Sequence, residues 1–318
     1  LRRGEEAPIL SVNFMSHFVI PRLKRGEKVF LIVMDCLRLD QWLEIEPIFY
    51  EYFNISRDYY YSILPTATPY ARNSLFSGLF PEEIQQKFSE IWARSEDDDL
   101  SMNRYERDFL EDQLKRYGVH LKPELKYIKI LDMEEGRNVE RNVTSYFNIP
   151  FVSMVINFID ILAHSRSDLA VLKEIAPDES AFRSLTRSWF EHSWLLQIIM
   201  ALAENDCTII LTSDHGSIRA LRGSKVIGDK ETSSNLRYKY GRSLKCNLKH
   251  AIYIKNPGEY KLPMRGINTT YIIAREDYYF VYPTNYYKYL QHYKDSFQHG
   301  GASLEEMILP VVIMEGKS

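Results

Sequence analysis

Three continuous apolar runs, each followed by an aspartate, constrain this chain more than any other feature. Residues 28–34 (KVFLIVM) stop at Asp35, residues 151–159 stop at Asp160, and residues 207–211 pass through Thr212 and Ser213 to Asp214. Apolar runs without alternation read as strands buried on both faces of a parallel sheet. Helical patterns lie between them at about 70–77, 82–91 and 103–117, with one long stretch at 182–203 carrying Trp189, Leu195, Ile198 and Leu202 on a repeating face. Alternation of strand and helix predicts an α/β fold with a mostly parallel central sheet flanked by helices. Ligands in such sheets sit beyond the carboxyl ends of the strands, so the three acids are expected to converge on one crevice.

With 318 residues and 45% apolar content, the chain can bury one large core or two modest ones. We expect residues 1–27 to be a linker and N-terminal segment. Residues 28–318 are expected to form the domain, with a helical cap or insertion at 82–148 that includes the acidic run 96–99. The absence of a starting Met reads as an excised domain with other parts upstream. Forty basic residues against 43 acidic give a net charge of −3, so no global field points to nucleic acid or an acidic membrane. Cys36, Cys207 and Cys246 are too few for a disulfide framework or zinc knuckle, which fits a reducing compartment and a cytoplasmic location. The most apolar stretch, 149–162, is too short to span a membrane and is interrupted by Asn157 and Asp160. Residues 219–249 hold nine basic side chains against Asp229 and Glu231 and show little periodicity, so they read as a long loop. That loop would either neutralise phosphates or form a solvated surface. The tyrosines of 278–293 read as a packed strand and helix.

Four segments offer metal ligands: Asp35, Asp160 with His164, Asp214 with His215, and His299 in the phrase QHGG. Asp160 and His164 are four apart and share a face if the chain turns helical there. Zn²⁺ accepts imidazole nitrogen and carboxylate oxygen, and two ions roughly 4 Å apart can hold both oxygens of a phosphoryl transfer. Each residue also has a plainer role. Asp35 and Asp160 could cap the following helices, and a lone His164 or His299 could be a satisfied, partly buried imidazole. A nucleophile is available in 65–74 (PTATPYARNS), where metal coordination would activate a threonine hydroxyl. The plainer alternative there is a helix start, with Thr68 as N-cap and Pro69 at the first helical position.

In order, Asp35, the phrase PTATPYARNSLFSGLFPEE, Asp160-x-x-x-His164, Asp214-His215-Gly216 and His299-Gly300-Gly301 resemble the alkaline phosphatase superfamily over nearly the whole chain. MDCLRLDQW at 34–42 and QHGGASLEEMILP at 298–310 resemble its PglZ branch, and most specifically the effector domain of PorX-type response regulators of type IX secretion. The resemblance implies an alkaline-phosphatase-like core holding two Zn²⁺, with Mn²⁺ as the alternative. Asp160, His164 and His299 would hold one ion; Asp35, Asp214 and His215 would hold the other, bridged by Thr68. Thr68 would be the nucleophile, with Thr66 the alternative, and Arg72 or Asn73 would steady a phosphate oxygen. Threonine at that position disfavours a sulfatase. The implied function is a two-zinc phosphoric ester hydrolase, a phosphodiesterase on nucleotides or short oligonucleotides. It would serve as the output domain of a two-component regulator, acting as a homodimer with histidine kinase and sigma factor partners. The alternative is a signalling and dimerisation module that binds a transcription factor, with structural zinc and little turnover.

Overall fold

The computed structural model describes residues 7–90, 104–228, 233, 235–266 and 268–317. The first five strands are β1 (Val29–Met34), β2 (Phe53–Tyr61), β3 (Lys126–Ile130), β4 (Phe151–Ile156) and β5 (Thr208–Thr212). Eight short strands follow: β6 (Ile218–Ala220), β7 (Arg222–Ile227), β8 (Tyr238–Gly241), β9 (Lys245–Cys246), β10 (Ala251–Ile254), β11 (Thr270–Ala274), β12 (Tyr278–Val281) and β13 (Ser296–Gln298). The last, β14 (Ile308–Gly316), joins the first five in a central sheet of order β2-β14-β5-β1-β4-β3. β1 runs parallel to β4 and β5, β3 runs parallel to β4, and β14 lies antiparallel between β2 and β5.

Every residue of β1, β4 and β5 is buried, as their unbroken apolar character requires. The twofold period of β1 sorts its side chains onto two cores. Val29, Leu31 and Val33 face a cluster with Phe14, Leu75, Phe76 and Leu110, whereas Phe30, Ile32 and Met34 face one with Trp42, Phe49, Leu195 and Ile198. Met34 lies level with Ile156, and Val33 with Thr212, so the three strands end at one edge.

Several expectations need correction. β4 stops at Ile156 and a helix begins at Phe158, because an apolar run does not reveal where a buried strand becomes a helix. The stretch 182–203 is two helices, Glu179–Glu191 and Trp194–Ala203; the Ser193 hydroxyl accepts from Leu196 N at 3.2 Å and starts the second. The expected linker contains packed helical turns from Ser11 to Lys24, with Phe14, Met15 and Val19 fully buried. The expected insertion supplies the edge strand β3 and a helix, Glu106–Arg116, that sends Phe109 and Leu110 into the core. Its acidic run, 96–99, lies outside the described residues. No described helix is long and apolar enough to cross a membrane.

The basic segment 219–249 contains strands β6 to β9. Distant acids absorb much of its charge: Arg219 pairs with Asp295, Arg222 with Glu276 and Asp277, and Arg237 with Glu306. Lys239 is buried and donates to the Ser233 and Asn235 carbonyls at 3.0 and 2.8 Å. The Arg237 pair is fully buried, with Nη2 2.5 Å and Nε 3.1 Å from the two Glu306 oxygens. Removing one partner leaves an uncompensated charge, so Arg237→Met is expected to cost about 3–5 kcal/mol. Urea unfolding measures this, and a loss below about 1 kcal/mol would contradict it.

Candidate metal centre

The level strand ends bring the acidic side chains together. Asp35 follows β1 directly, and its amide still donates to Ile156 O at 2.9 Å, so it is held in the ladder. Asp214 and His215 follow β5 and are fully buried. Asp160 occupies the first turn of the helix Phe158–Asp168, and His164 lies one turn later. His299 follows β13. Gly300 has φ +109° and packs on the Tyr238 ring, while a side chain at Gly301 would collide with the Arg237 guanidinium.

Two groups result: Asp160, His164 and His299, and Asp35, Asp214 and His215, each with ligand atoms within 4.8 Å of one another. They adjoin, since the His215 and His299 rings stack at 4.3 Å between centroids. Neither carboxylate serves as a helix cap. The N-cap of Phe158–Asp168 is Asn157, and the helix after Asp35 has Arg38 at its N-cap. Among the described residues, Asp35 Oδ1, Asp160 Oδ1, both Asp214 oxygens and His299 Nδ1 are buried without a hydrogen-bond donor or acceptor. Buried carboxylate oxygens left bare are costly, and their convergence with imidazoles fits a divalent cation.

The threonines divide. Thr66 Oγ1 donates to Gly301 O at 2.7 Å and accepts from Gly300 N at 3.2 Å, so it pins the loop beside His299. Thr68 is not an N-cap: Ala67 holds that position, and Thr68 opens the helix Thr68–Ser77 with its Oγ1 3.0 Å from His215 Nε2. Arg72, expected on phosphate, is buried and committed to protein. Its Nη1 lies 2.7 Å from Asp35 Oδ2 and 3.7 Å from Asp214 Oδ2, and its Nε donates to Glu106 Oε1 at 2.7 Å. Asp35 is thereby split: Oδ2 receives Arg72, while Oδ1 faces His215 Nε2 at 3.5 Å. Asn73 Nδ2 donates to Pro69 O at 2.9 Å. Sequence reasoning missed Glu106 and Tyr127, whose hydroxyl donates to Glu106. No local pattern marks a second partner 34 residues from its arginine.

Three buried carboxylates (Asp35, Asp214 and Glu106) face the Arg72 guanidinium and, at Glu106 alone, the Lys129 ammonium at 3.5 Å, so negative charge stays in excess. Burial, and then the neighbouring Asp35, push the Asp214 carboxyl well above its ordinary range. Burial and then His215 push His299 down to about 4, which keeps its ring neutral and able to ligate. Burial opposes charge on Asp160, but His164 and His299 hold it below the usual carboxylate range, and contact with Asp160 raises His164.

A sheet of this order with paired carboxylate and imidazole clusters at its carboxyl edge defines an alkaline-phosphatase-like hydrolase domain. The chain belongs to the PglZ family: residues 14–314 match the BREX system PglZ alkaline phosphatase-like domain. Among solved structures it is similar to murine ectonucleotide pyrophosphatase/phosphodiesterase 5, with TM-score 0.58 and 15% identity over 92% of this chain and 89% of that one. The human counterpart gives TM-score 0.56 and 14% identity, covering 91% and 88%. An inactive threonine-to-alanine variant of the murine protein in complex with AMP gives 0.54 and 16%, again covering 91% and 88%. No curated protein matches.

Two predictions follow from this geometry. Glu106→Gln should weaken divalent-ion affinity about 10–100-fold by loosening Arg72 behind Asp35, as measured by chelator competition. Unchanged affinity would remove Glu106 from the site. Because Asp214 is raised in the ion-free fold, its contribution is present at low pH and is lost as pH climbs through its folded value. Ion binding needs the ionised form, so the Tm gained on adding the ion should grow as pH rises. A gain independent of pH would contradict ligation by Asp214.

Proposed function

We propose that the domain is a two-zinc phosphodiesterase acting on nucleotide or short-oligonucleotide esters, with Thr68 as nucleophile. The observation that carries this reading is the Thr68 hydroxyl 3.0 Å from His215 Nε2, beside carboxylate oxygens that have no donor. Three imidazoles among the six side chains favour zinc over harder ions. Divalent ions in the two clusters would supply Lewis acidity to the phosphate oxygens and stabilise alkoxide. Thr68 Oγ bonds to phosphorus as its proton passes to solvent, and the bond from phosphorus to the departing oxygen breaks on the opposite side, that oxygen taking up a proton from water to leave as the alcohol. Water then cleaves the phospho-threonine and regenerates the hydroxyl. Arg72 keeps Asp35 oriented throughout and does not touch the phosphate. The names of the structural neighbours support a nucleotide phosphodiester, as does an inactive variant of one of them that lacks a threonine. The phrases at 34–42 and 298–310 support the narrower reading of a response-regulator output domain.

Thr68→Val should lower hydrolysis of bis(p-nitrophenyl) phosphate at least about a thousandfold while the protein keeps two zinc per chain by metal analysis. Wild-type turnover in that variant would end the assignment. Thr66→Val should instead cost about 1–3 kcal/mol of stability through the backbone groups it leaves unpaired.

A further inference from the structure

The loops that carry His215 and His299 serve different clusters and lie far apart in sequence, yet one residue holds both. Glu306 is fully buried in the short helical turn Leu304–Met307, where the Ser303 hydroxyl fixes it by accepting from Glu306 N at 3.2 Å. Its main-chain carbonyl accepts from Gly216 N at 3.0 Å. Gly216 O lies 3.0 Å from His215 Nδ1, and because a carbonyl can only accept, that nitrogen carries the proton. The lone pair is thereby left on Nε2, which faces Asp35 and Thr68. A side chain at Gly216 would sit 2.0 Å from the Glu305 carbonyl oxygen, so the two segments meet along their backbones.

The Glu306 side chain reaches the other loop. Its Oε1 accepts from Gly301 N at 2.8 Å and from Arg237 Nε at 3.1 Å, while Oε2 accepts from Arg237 Nη2 at 2.5 Å. Arg237 aims the carboxylate, and Thr66 holds the same loop at Gly300 N and Gly301 O. The chain just past His299 is therefore fixed at every one of these backbone groups. We infer that Glu306 is the positioning residue shared by the two metal clusters: its carboxylate places His299 through Gly301, and its main-chain carbonyl places His215 through Gly216. Only the first of these roles depends on the side chain, so substitution separates them. The inference rests on the two-zinc reading above.

Two double variants replace the buried ion pair by uncharged groups of similar volume, an exchange that a fold tolerates far better than loss of one partner. Arg237→Met/Glu306→Gln keeps an oxygen for Gly301 N, and Arg237→Met/Glu306→Leu offers none. Chelator competition with zinc returns two dissociation constants, and His164→Ala identifies the one that belongs to the Asp160 cluster. That constant should rise about tenfold in the Leu variant, whereas the Gln variant should stay within about threefold of the wild type. The constant of the Asp35 cluster should be the same in both, because residue 306 keeps its carbonyl. Urea unfolding checks that both variants fold, and Glu306→Met in place of Glu306→Leu repeats the comparison if the Leu variant does not. Equal constants in the two variants would remove the Glu306 carboxylate from the site and overturn the inference. So would a Leu variant in which both constants rise together, since that is general loosening of the fold. Wild-type protein that takes up no zinc at either cluster would instead overturn the metal reading itself.

Discussion

Buried negative charge without hydrogen-bond donors organises this molecule. Parallel strands β1, β4 and β5 end level, and the chain places Asp35, Asp160 and Asp214 at or just past that edge, where four of their oxygens meet no donor. Such an arrangement is unfavourable alone and becomes favourable around a cation. The apolar core contributes to the site by fixing the strand register and allowing the acids little room to separate.

Arg72 meets part of that charge from within the fold. It takes one oxygen of Asp35 and leaves the other turned towards His215, so a single side chain is both anchored and presented. Glu106 and Tyr127 anchor Arg72 in turn, which connects the helix Glu106–Arg116 and the edge strand β3 to the chemistry. A similar division separates the two threonines: one hydroxyl is spent on Gly300 and Gly301, and the other is left beside His215.

Much of this was legible because strands buried on both faces leave a continuous apolar signature, and the residues ending them were polar. The α/β class, the parallel strands and the six side chains that gather at the edge all rest on that signal, helped by the order of motifs along the chain. What escaped was set by long-range pairing. Nothing local in 219–249 shows that Arg237 meets Glu306 or that Arg222 meets Asp277, so the segment read as a free basic loop although three of its arginines are paired with distant acids. Arg72 misled for the same reason, since its carboxylate partners are 34 and 37 residues away. The strand limit at Ile156 was invisible because Phe158 and Ile159 continue the apolar run into a helix.

The position of β14 has a consequence for biosynthesis. The final strand lies between β2 and β5, so β2 has no partner in the sheet until β14 arrives, and His299 enters the chain only shortly before it. A polypeptide extending only to β13 would lack both the bridge across its sheet and the last imidazole. The Asp160 cluster would therefore stay incomplete until the residues after β13 had been added.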